Sequence, residues 1–273
     1  MTQKPDELGR RWRVSGELEA AIEAARAAGE VLRRNFNMGV VVRYKGLVDL
    51  VTQVDEEAER IITDMLRTAY PTYGFLAEES GASTGQEDVR WIVDPLDGTT
   101  NYAHSFPFFA VSIALQKQGE LTAGVVYDPL RDELFTAARG EGAACNGAPL
   151  KVSVTDDLLR ALVVTGFPYD REKVPAALDT WGRFTLRAQG MRRTGAAALD
   201  MCYVAAGRFD VYYERGIWAW DIAAGALILH EAGGRTSSYV GGELDLEARE
   251  IVATNGVLHE QALSVLRGDT PAA

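Results

Sequence analysis

Apolar residues recur at helical spacing from Ser15 to Phe36. Leu18, Ile22, Ala25, Leu32 and Phe36 share one face, while Glu17, Glu19, Glu23, Arg26, Arg33 and Arg34 lie elsewhere. A second amphipathic pattern runs from about Asp55 to Ala69, with Ala58, Ile61, Ile62, Met65 and Leu66 inward, and Pro71 ends it. Between them, Val40 to Tyr44 and Asp49 to Val54 read as a short strand and a turn. The rhythm then shifts to strand-like segments at Gly74–Ala77, Trp91–Val93, Phe106–Gln116, Leu121–Val126 and Glu133–Ala138, separated by short polar turns. Two helices followed by hairpin-linked strands predict an antiparallel sheet with helices on one side.

From Leu159 onward helices and strands alternate. The pattern predicts strand Leu162–Thr165, helix Val174–Ala188, helix Ala196–Ala206, strand Phe209–Glu214, helix Ile222–Ala232, strands up to Asn255 and helix Leu258–Arg267. No Pro-, Gly- or Ser-rich linker, repeat or low-complexity tract interrupts the chain. The expected organisation is therefore one α+β domain over residues 1–273. Its N-terminal half, about 14–150, carries the antiparallel sheet, and its C-terminal half, about 151–267, is α/β in pattern.

Composition narrows the function. The chain has 273 residues, 47% hydrophobic and 25% charged, enough for a large core without staples. Lys+Arg number 28 against 39 Asp+Glu, a net charge of −11. Such a surface repels nucleic-acid backbones and acidic membranes, so neither is an expected direct partner. An anionic ligand would need a local positive charge, and a bound metal supplies one. Cys145 and Cys202 form no CxxC pair and read as small buried residues of a reducing cytosol. No signal-peptide pattern or long apolar run is present, so a cytoplasmic protein is expected.

The most informative run is Trp91-Ile92-Val93-Asp94-Pro95-Leu96-Asp97-Gly98-Thr99-Thr100-Asn101. Here a strand reaches its end and two carboxylates follow, three positions apart. They can aim at one hard cation, with the Leu96 carbonyl as a further oxygen ligand. N–H groups after Gly98 can hold a phosphate oxygen if a helix starts there. Taken alone the run is equally an ordinary turn, since Asp, Pro and Gly are default turn residues. Glu78-Glu79-Ser80 adds adjacent carboxylates leaving an apolar strand, which repel unless a cation lies between them. Asp221 stands at the mouth of an apolar helix, which implies that it is buried with it, although it is also a plain helix cap. Three acidic clusters at element ends, with only three scattered histidines, point to an all-oxygen magnesium site.

Other motifs carry less. Gly81-Ala82-Ser83-Thr84-Gly85 matches the G-x-S-x-G elbow formally, but no helical pattern follows, so it reads as a mobile loop. The strip Gly140 to Gly147 lacks the third glycine of a dinucleotide fingerprint and reads as a turn between strands. His104, His230 and His259 have no metal-ligand spacing and read as structural.

Asp94-Pro95-Leu96-Asp97-Gly98-Thr99-Thr100-Asn101 resembles the signature of the inositol monophosphatase family, with Tyr102 where that signature usually has Phe. Trp220-Asp221-Ile222-Ala223-Ala224-Gly225 resembles its second signature, and Glu78-Glu79-Ser80 its third acidic element. The resemblance extends from about Leu18 to Leu266. It implies an α-β-α-β-α layered sandwich and a magnesium-dependent, lithium-sensitive, homodimeric phosphatase of a small phosphorylated polyol or sugar. It further implies a first Mg2+ on Glu78, Asp94 and the Leu96 carbonyl, a second on Asp94, Asp97 and Asp221, and a looser third on Glu78. Asp55 and Thr99 match the pair that orients the attacking water, with Glu78 as a third catalytic residue. Gly98 and Thr99 match the phosphate cradle. Gly195, Ala196, Glu214 and Asp221 match substrate-contacting positions. Arg192 and Arg193 either flank the pocket or cover a dimer surface. Ala77 stands where many members have Gly, and the segment Lys45 to Asp49 runs one residue shorter than in some members, which puts a role for Lys45 in doubt.

Hydrolysis of a phosphate ester by an in-line water needs charge neutralisation and no covalent nucleophile, and two metals about 3.5–4 Å apart supply the first. Fructose-1,6-bisphosphatase, histidinol phosphatase and nucleotide phosphatase share the implied scaffold, but Thr99-Thr100-Asn101 favours the inositol branch. A protein-interaction subunit in transcription is the non-enzyme alternative, against which the intact carboxylates argue.

Overall fold

A computed structural model describes residues 15–39, 42–44, 50–83 and 85–269. Lys45, Thr84 and the predicted strand start at Val40 lie outside these. Helix α1 (Gly16–Asn35) is capped by the Ser15 hydroxyl, which accepts from the Leu18 N–H at 3.2 Å. Strands β1 (Val42–Tyr44) and β2 (Leu50–Thr52) pair as an antiparallel hairpin that leads into α2 (Gln53–Ala69). Thr52 and Asp55 form a reciprocal cap at the start of α2, and this cap fixes where Asp55 points.

Eight strands follow: β3 (Tyr73–Ala77), β4 (Gly81–Ser83), β5 (Gln86–Asp97), β6 (Ala110–Lys117), β7 (Glu120–Asp128), β8 (Glu133–Ala138), β9 (Gly142–Cys145) and β10 (Ala148–Pro149). They form one sheet in the order β10-β9-β8-β7-β6-β5-β3-β4. Its neighbours are antiparallel except β3 and β5, which run parallel. Short α3 (Thr99–Ala103) interrupts the chain between β5 and β6.

The remainder comprises β11 (Leu162–Thr165), α4 (Val174–Thr185), β12 (Gly190–Arg192), α5 (Ala197–Ala205), β13 (Val211–Arg215), α6 (Ala219–Glu231), β14 (Arg235–Ser237), β15 (Glu250–Thr254) and α7 (His259–Arg267). Its sheet runs β12-β11-β13-β15-β14, with β12, β11 and β13 parallel and the others antiparallel.

Strand alternation explains the layering. Trp91 and Val93 of β5 face a core with Ala25 and Leu32 of α1 and Ala58 and Ile62 of α2. Ile92, between them, faces the opposite core, which contains Met201 of α5 and Ile222 and Leu229 of α6. Tyr212 and Ala253 of the second sheet close that core from the far side, while Val163, Val211 and Val252 turn outward onto Phe184 of α4 and Leu263 of α7. The layers are therefore α1/α2, the eight-stranded sheet, α5/α6, the five-stranded sheet and α4/α7, the α-β-α-β-α sandwich expected. Trp91 is fully buried, and truncating such a side chain costs about 3–5 kcal/mol. Helix α6 lies close to β7 because Gly124 has no side chain; a Cβ there would sit 3.0 Å from the Ala224 carbonyl oxygen.

The structure corrects several local expectations. The strand through Trp91–Val93 continues to Asp97, and the one expected from Phe106 begins at Ala110. Gly81–Ser83, expected as a mobile loop, pairs with β3, and Gly142–Cys145 inside the expected turn pairs with β8. Helix α4 ends at Thr185 rather than Ala188. The cysteines are free, with Cys202 buried and Cys145 partly so. Among the described residues, no helix is long and apolar enough to cross a membrane.

Candidate active site

Strand β5 pairs regularly with β6 as far as Asp94 opposite Ser112, and pairing resumes only at Asp97 opposite Ala110. Pro95 has no N–H to give the ladder, so the strand bulges there and brings both carboxylates to one side. Asp94 Oδ1 accepts from the Leu96 N–H at 2.9 Å, which fixes its rotamer. Gly98 then turns the chain into α3 with φ of +94°. A Cβ at Gly98 would also lie 3.1 Å from the Phe108 carbonyl oxygen and 3.3 Å from the Ala196 methyl. Conformation and space both require glycine there.

The halves of the chain meet at Asp97. Its carboxylate accepts from the Ala197 N–H at 3.1 Å and the Ala198 N–H at 2.7 Å, the first amides of α5. A helix start is thus capped by a carboxylate a hundred residues away, favourable for both the orphan amides and the helix dipole. Asp221 is the third residue of α6 and accepts from the Trp218 N–H at 2.7 Å. One oxygen each from Asp94, Asp97 and Asp221 lie within 4.8 Å of one another. Asp94 and Asp97 are buried, whereas Asp221, expected to be buried with its helix, is partly exposed because the helix mouth opens on the cleft.

This crowding has an electrostatic signature. Burial first, then the charges of Glu78, Asp97 and Asp221, push the Asp94 carboxyl well above the usual range. Burial and the Asp221 charge do the same to Asp97, against the Ala198 and Ala197 N–H groups. Three convergent hard oxygens that resist ionisation on their own fit a divalent cation of the Mg2+ type. Glu78 follows β3, lines the cleft and acts on Asp94; Leu96 lines it as well. Glu79 does not line it.

Asp55 lies behind this cluster, fully buried, and accepts from both the backbone N–H and the hydroxyl of Thr52. Its other oxygen lies 3.1 Å from the Thr99 hydroxyl, which is also 3.0 Å from the Leu96 carbonyl oxygen. A side chain of α2 is thereby linked to the first residue of α3 at the edge of the cleft. Burial raises the Asp55 carboxyl, while the Thr52 and Thr99 bonds oppose the shift.

On the far wall stand Arg193, Gly195, Ala196 and Glu214, with Trp218 at the rim. Glu214 accepts from the Tyr212 hydroxyl at 2.8 Å. Burial, only partly offset by that bond, pushes its carboxyl up to about 7. Arg192 is on β12, bonded to the Met191 carbonyl oxygen, and is not part of the cleft wall. His259 is buried between Ser237 and Thr254 hydroxyls, and His104 ends α3.

Three residues without a role in the sequence reading matter here. Asn101 donates to the carbonyl oxygens of Phe108 at 2.7 Å and Thr194 at 2.9 Å, which ties the Gly195 loop to α3. Asp200 lines the cleft, accepts from Thr194 and is raised by burial. Glu59 accepts from two backbone amides beside Glu78. Its position on the inward stripe of α2, between Ala58 and Ile62, was the signal available in the sequence.

The model of a family described as the inositol monophosphatase family matches residues 15–269. The chain is 43% identical over 256 residues to a protein of Escherichia coli strain K12 named Nus factor SuhB, covering 92% of this chain and 96% of that one. It superimposes with a TM-score of 0.85 on an inositol monophosphatase from Anabaena (Nostoc) sp. PCC 7120, at 42% identity, covering 93% and 96% of the two chains. It also superimposes with a TM-score of 0.78, at 27% identity and 89% and 92% coverage, on an IMPase/NADP phosphatase whose structure is described as complexed with Mg2+ and phosphate.

Proposed function

We propose that this chain, which belongs to the inositol monophosphatase family, hydrolyses a small phosphate monoester with Mg2+, and that inositol 1-phosphate is its substrate. One observation carries the reading: the oxygens of Asp94, Asp97 and Asp221 converge within 4.8 Å beside the buried Asp55–Thr99 pair. Asp94, Asp97 and Asp221 would hold one ion, and Glu78 and the Leu96 carbonyl would serve as ligands to a second or third. When bound, Mg2+ neutralises phosphoryl charge and lowers the pKa of the attacking water.

The protein's own groups supply the rest. The Thr99 hydroxyl donates to Asp55 and turns its lone pairs toward the cleft, where they hold a proton of the incoming water. Asp55, raised by burial, is a suitable proton acceptor behind Thr99. The Gly98–Thr99 amides at the start of α3 offer N–H groups to the phosphate. Glu214 accepts hydrogen bonds from polyol hydroxyls, and Gly195 and Ala196 leave space for the ring. The Mg2+ and phosphate described for the structural relative support the same chemistry. Two copies form the working particle in this proposal.

Phosphate release from a panel of small phosphates tests it. The highest kcat/KM is expected for inositol 1-phosphate, with no release in EDTA and full recovery on adding Mg2+. Preference for fructose 1,6-bisphosphate, histidinol phosphate or a nucleotide phosphate would move the substrate to that branch. Release unaffected by EDTA would remove the metal. The similarity to a relative named Nus factor SuhB favours a second reading, a protein-interaction role in transcription. Recovery of transcription proteins by an Asp97→Asn variant as well as by the unaltered chain would separate that role from the phosphatase site.

A further inference from the structure

Glu59 follows Asp55 by one helical turn, so both carboxylates leave the same face of α2. Only 4% of Glu59 is exposed, and among the described residues no Lys or Arg pairs with it. Its partners are backbone. Oε2 accepts from the Glu79 N–H at 2.8 Å and Oε1 from the Ser80 N–H at 2.9 Å. These are the two amides immediately after Glu78, in the turn between β3 and β4. On its other side the Glu78 N–H donates to the Val93 carbonyl oxygen at 3.1 Å, next to Asp94.

A buried carboxylate is costly unless each oxygen is satisfied, and charge-assisted bonds to backbone N–H groups are among the stronger neutral-donor bonds available. The turn carrying Glu78 is thus gripped from two sides, by β5 and by α2. The same helix that orients Thr99 through Asp55 holds the Glu78 turn through Glu59.

We propose that Glu59 is a positioning residue that sets Mg2+ affinity by fixing the backbone of Glu78, a role that rests on the magnesium reading above. Glutamine cannot replace it: its amide has one acceptor oxygen, and its NH2 would face a second N–H. A lost outer-shell partner of a metal ligand typically weakens affinity about 10–100-fold.

Calorimetric titration of MgCl2 into the metal-free protein tests the proposal. Glu59→Gln is expected to weaken Mg2+ binding about 10-fold or more, and excess Mg2+ should return kcat to within a few-fold of the unaltered protein. Glu59→Asp keeps the charge but is one methylene shorter, and should fall between the two. Equal Mg2+ affinity in Glu59→Gln and the unaltered protein overturns the proposal, even if the variant melts earlier. Failure of the unaltered protein itself to bind Mg2+ overturns the magnesium reading instead, and this role with it. Should the variants not fold, hydrogen exchange in the unaltered protein decides: the Glu79 and Ser80 amides are expected to be protected, and rapid exchange at both overturns the anchor.

Discussion

Asp97→Asn is expected to lower kcat by at least ~10²-fold, because an amide is a poor substitute for a carboxylate that must hold a divalent cation. The geometry adds a second consequence. Asp97 offers two oxygens to the Ala197 and Ala198 N–H groups at the start of α5. Asparagine offers one, and leaves an amide facing the other donor, a loss of about 1–3 kcal/mol. Against this, the substitution removes a buried carboxyl whose ionisation burial and Asp221 both oppose. The metal-free variant should therefore melt close to the unaltered protein, because the two effects offset one another. What should vanish is the rise in melting temperature on adding Mg2+, which at an intact site is driven by about 2.7 kcal/mol of binding stabilisation at a hundredfold excess over Kd. Steady-state turnover and melting with and without Mg2+ read both effects. Normal turnover at ordinary Mg2+ concentration would remove Asp97 from the metal site.

Thr99→Ala should cost kcat about 10²-fold with KM little changed. The hydroxyl is 3.1 Å from a fully buried Asp55 oxygen, so its removal takes away both the water's partner and the route to the proton acceptor. The substrate phosphate keeps the cation and the backbone N–H donors, so ground-state binding survives. Asp55→Asn should lose a similar factor, and the double variant little more than either alone, since the two act as one unit. Initial rates over a substrate range separate the possibilities. Normal kcat with a much raised KM would make Thr99 a binding residue.

Much of this site was legible in the sequence because its chemistry is local. Asp94, Asp97 and the glycine turn at Gly98 lie within five residues, and apolar periodicity alone placed α1 and α2. What escaped depends on contacts distant in the chain. The bulge at Pro95 is visible only once β6 is paired alongside, so the sequence pattern alone ends β5 at Val93. Strand β4 consists of three small residues with no alternation to mark it, and is held in place by β3. The parallel pairing of β3 with β5 cannot be read from a run that otherwise looks like successive hairpins. Glu59 and the Asp97 cap on α5 are likewise side-chain bonds to backbone in remote segments, and residue type does not reveal them. The partial exposure of Asp221 escapes the sequence for a related reason: its helix is buried, but its first turn opens on the cleft.

If the carboxylate cluster holds the substrate's phosphate through a cation, as proposed, phosphate binding depends on Mg2+. Calorimetric titration of inorganic phosphate into the protein, first metal-free and then with saturating Mg2+, tests it most directly. With no cation bound, the carboxyls of Asp94, Asp97, Asp221 and Glu78 offer an incoming anion no positive charge, so no heat of binding is expected without metal, and clear saturable binding is expected with it. Clear phosphate binding to the metal-free protein would mean that basic side chains hold the anion, and would contradict the metal-centred account.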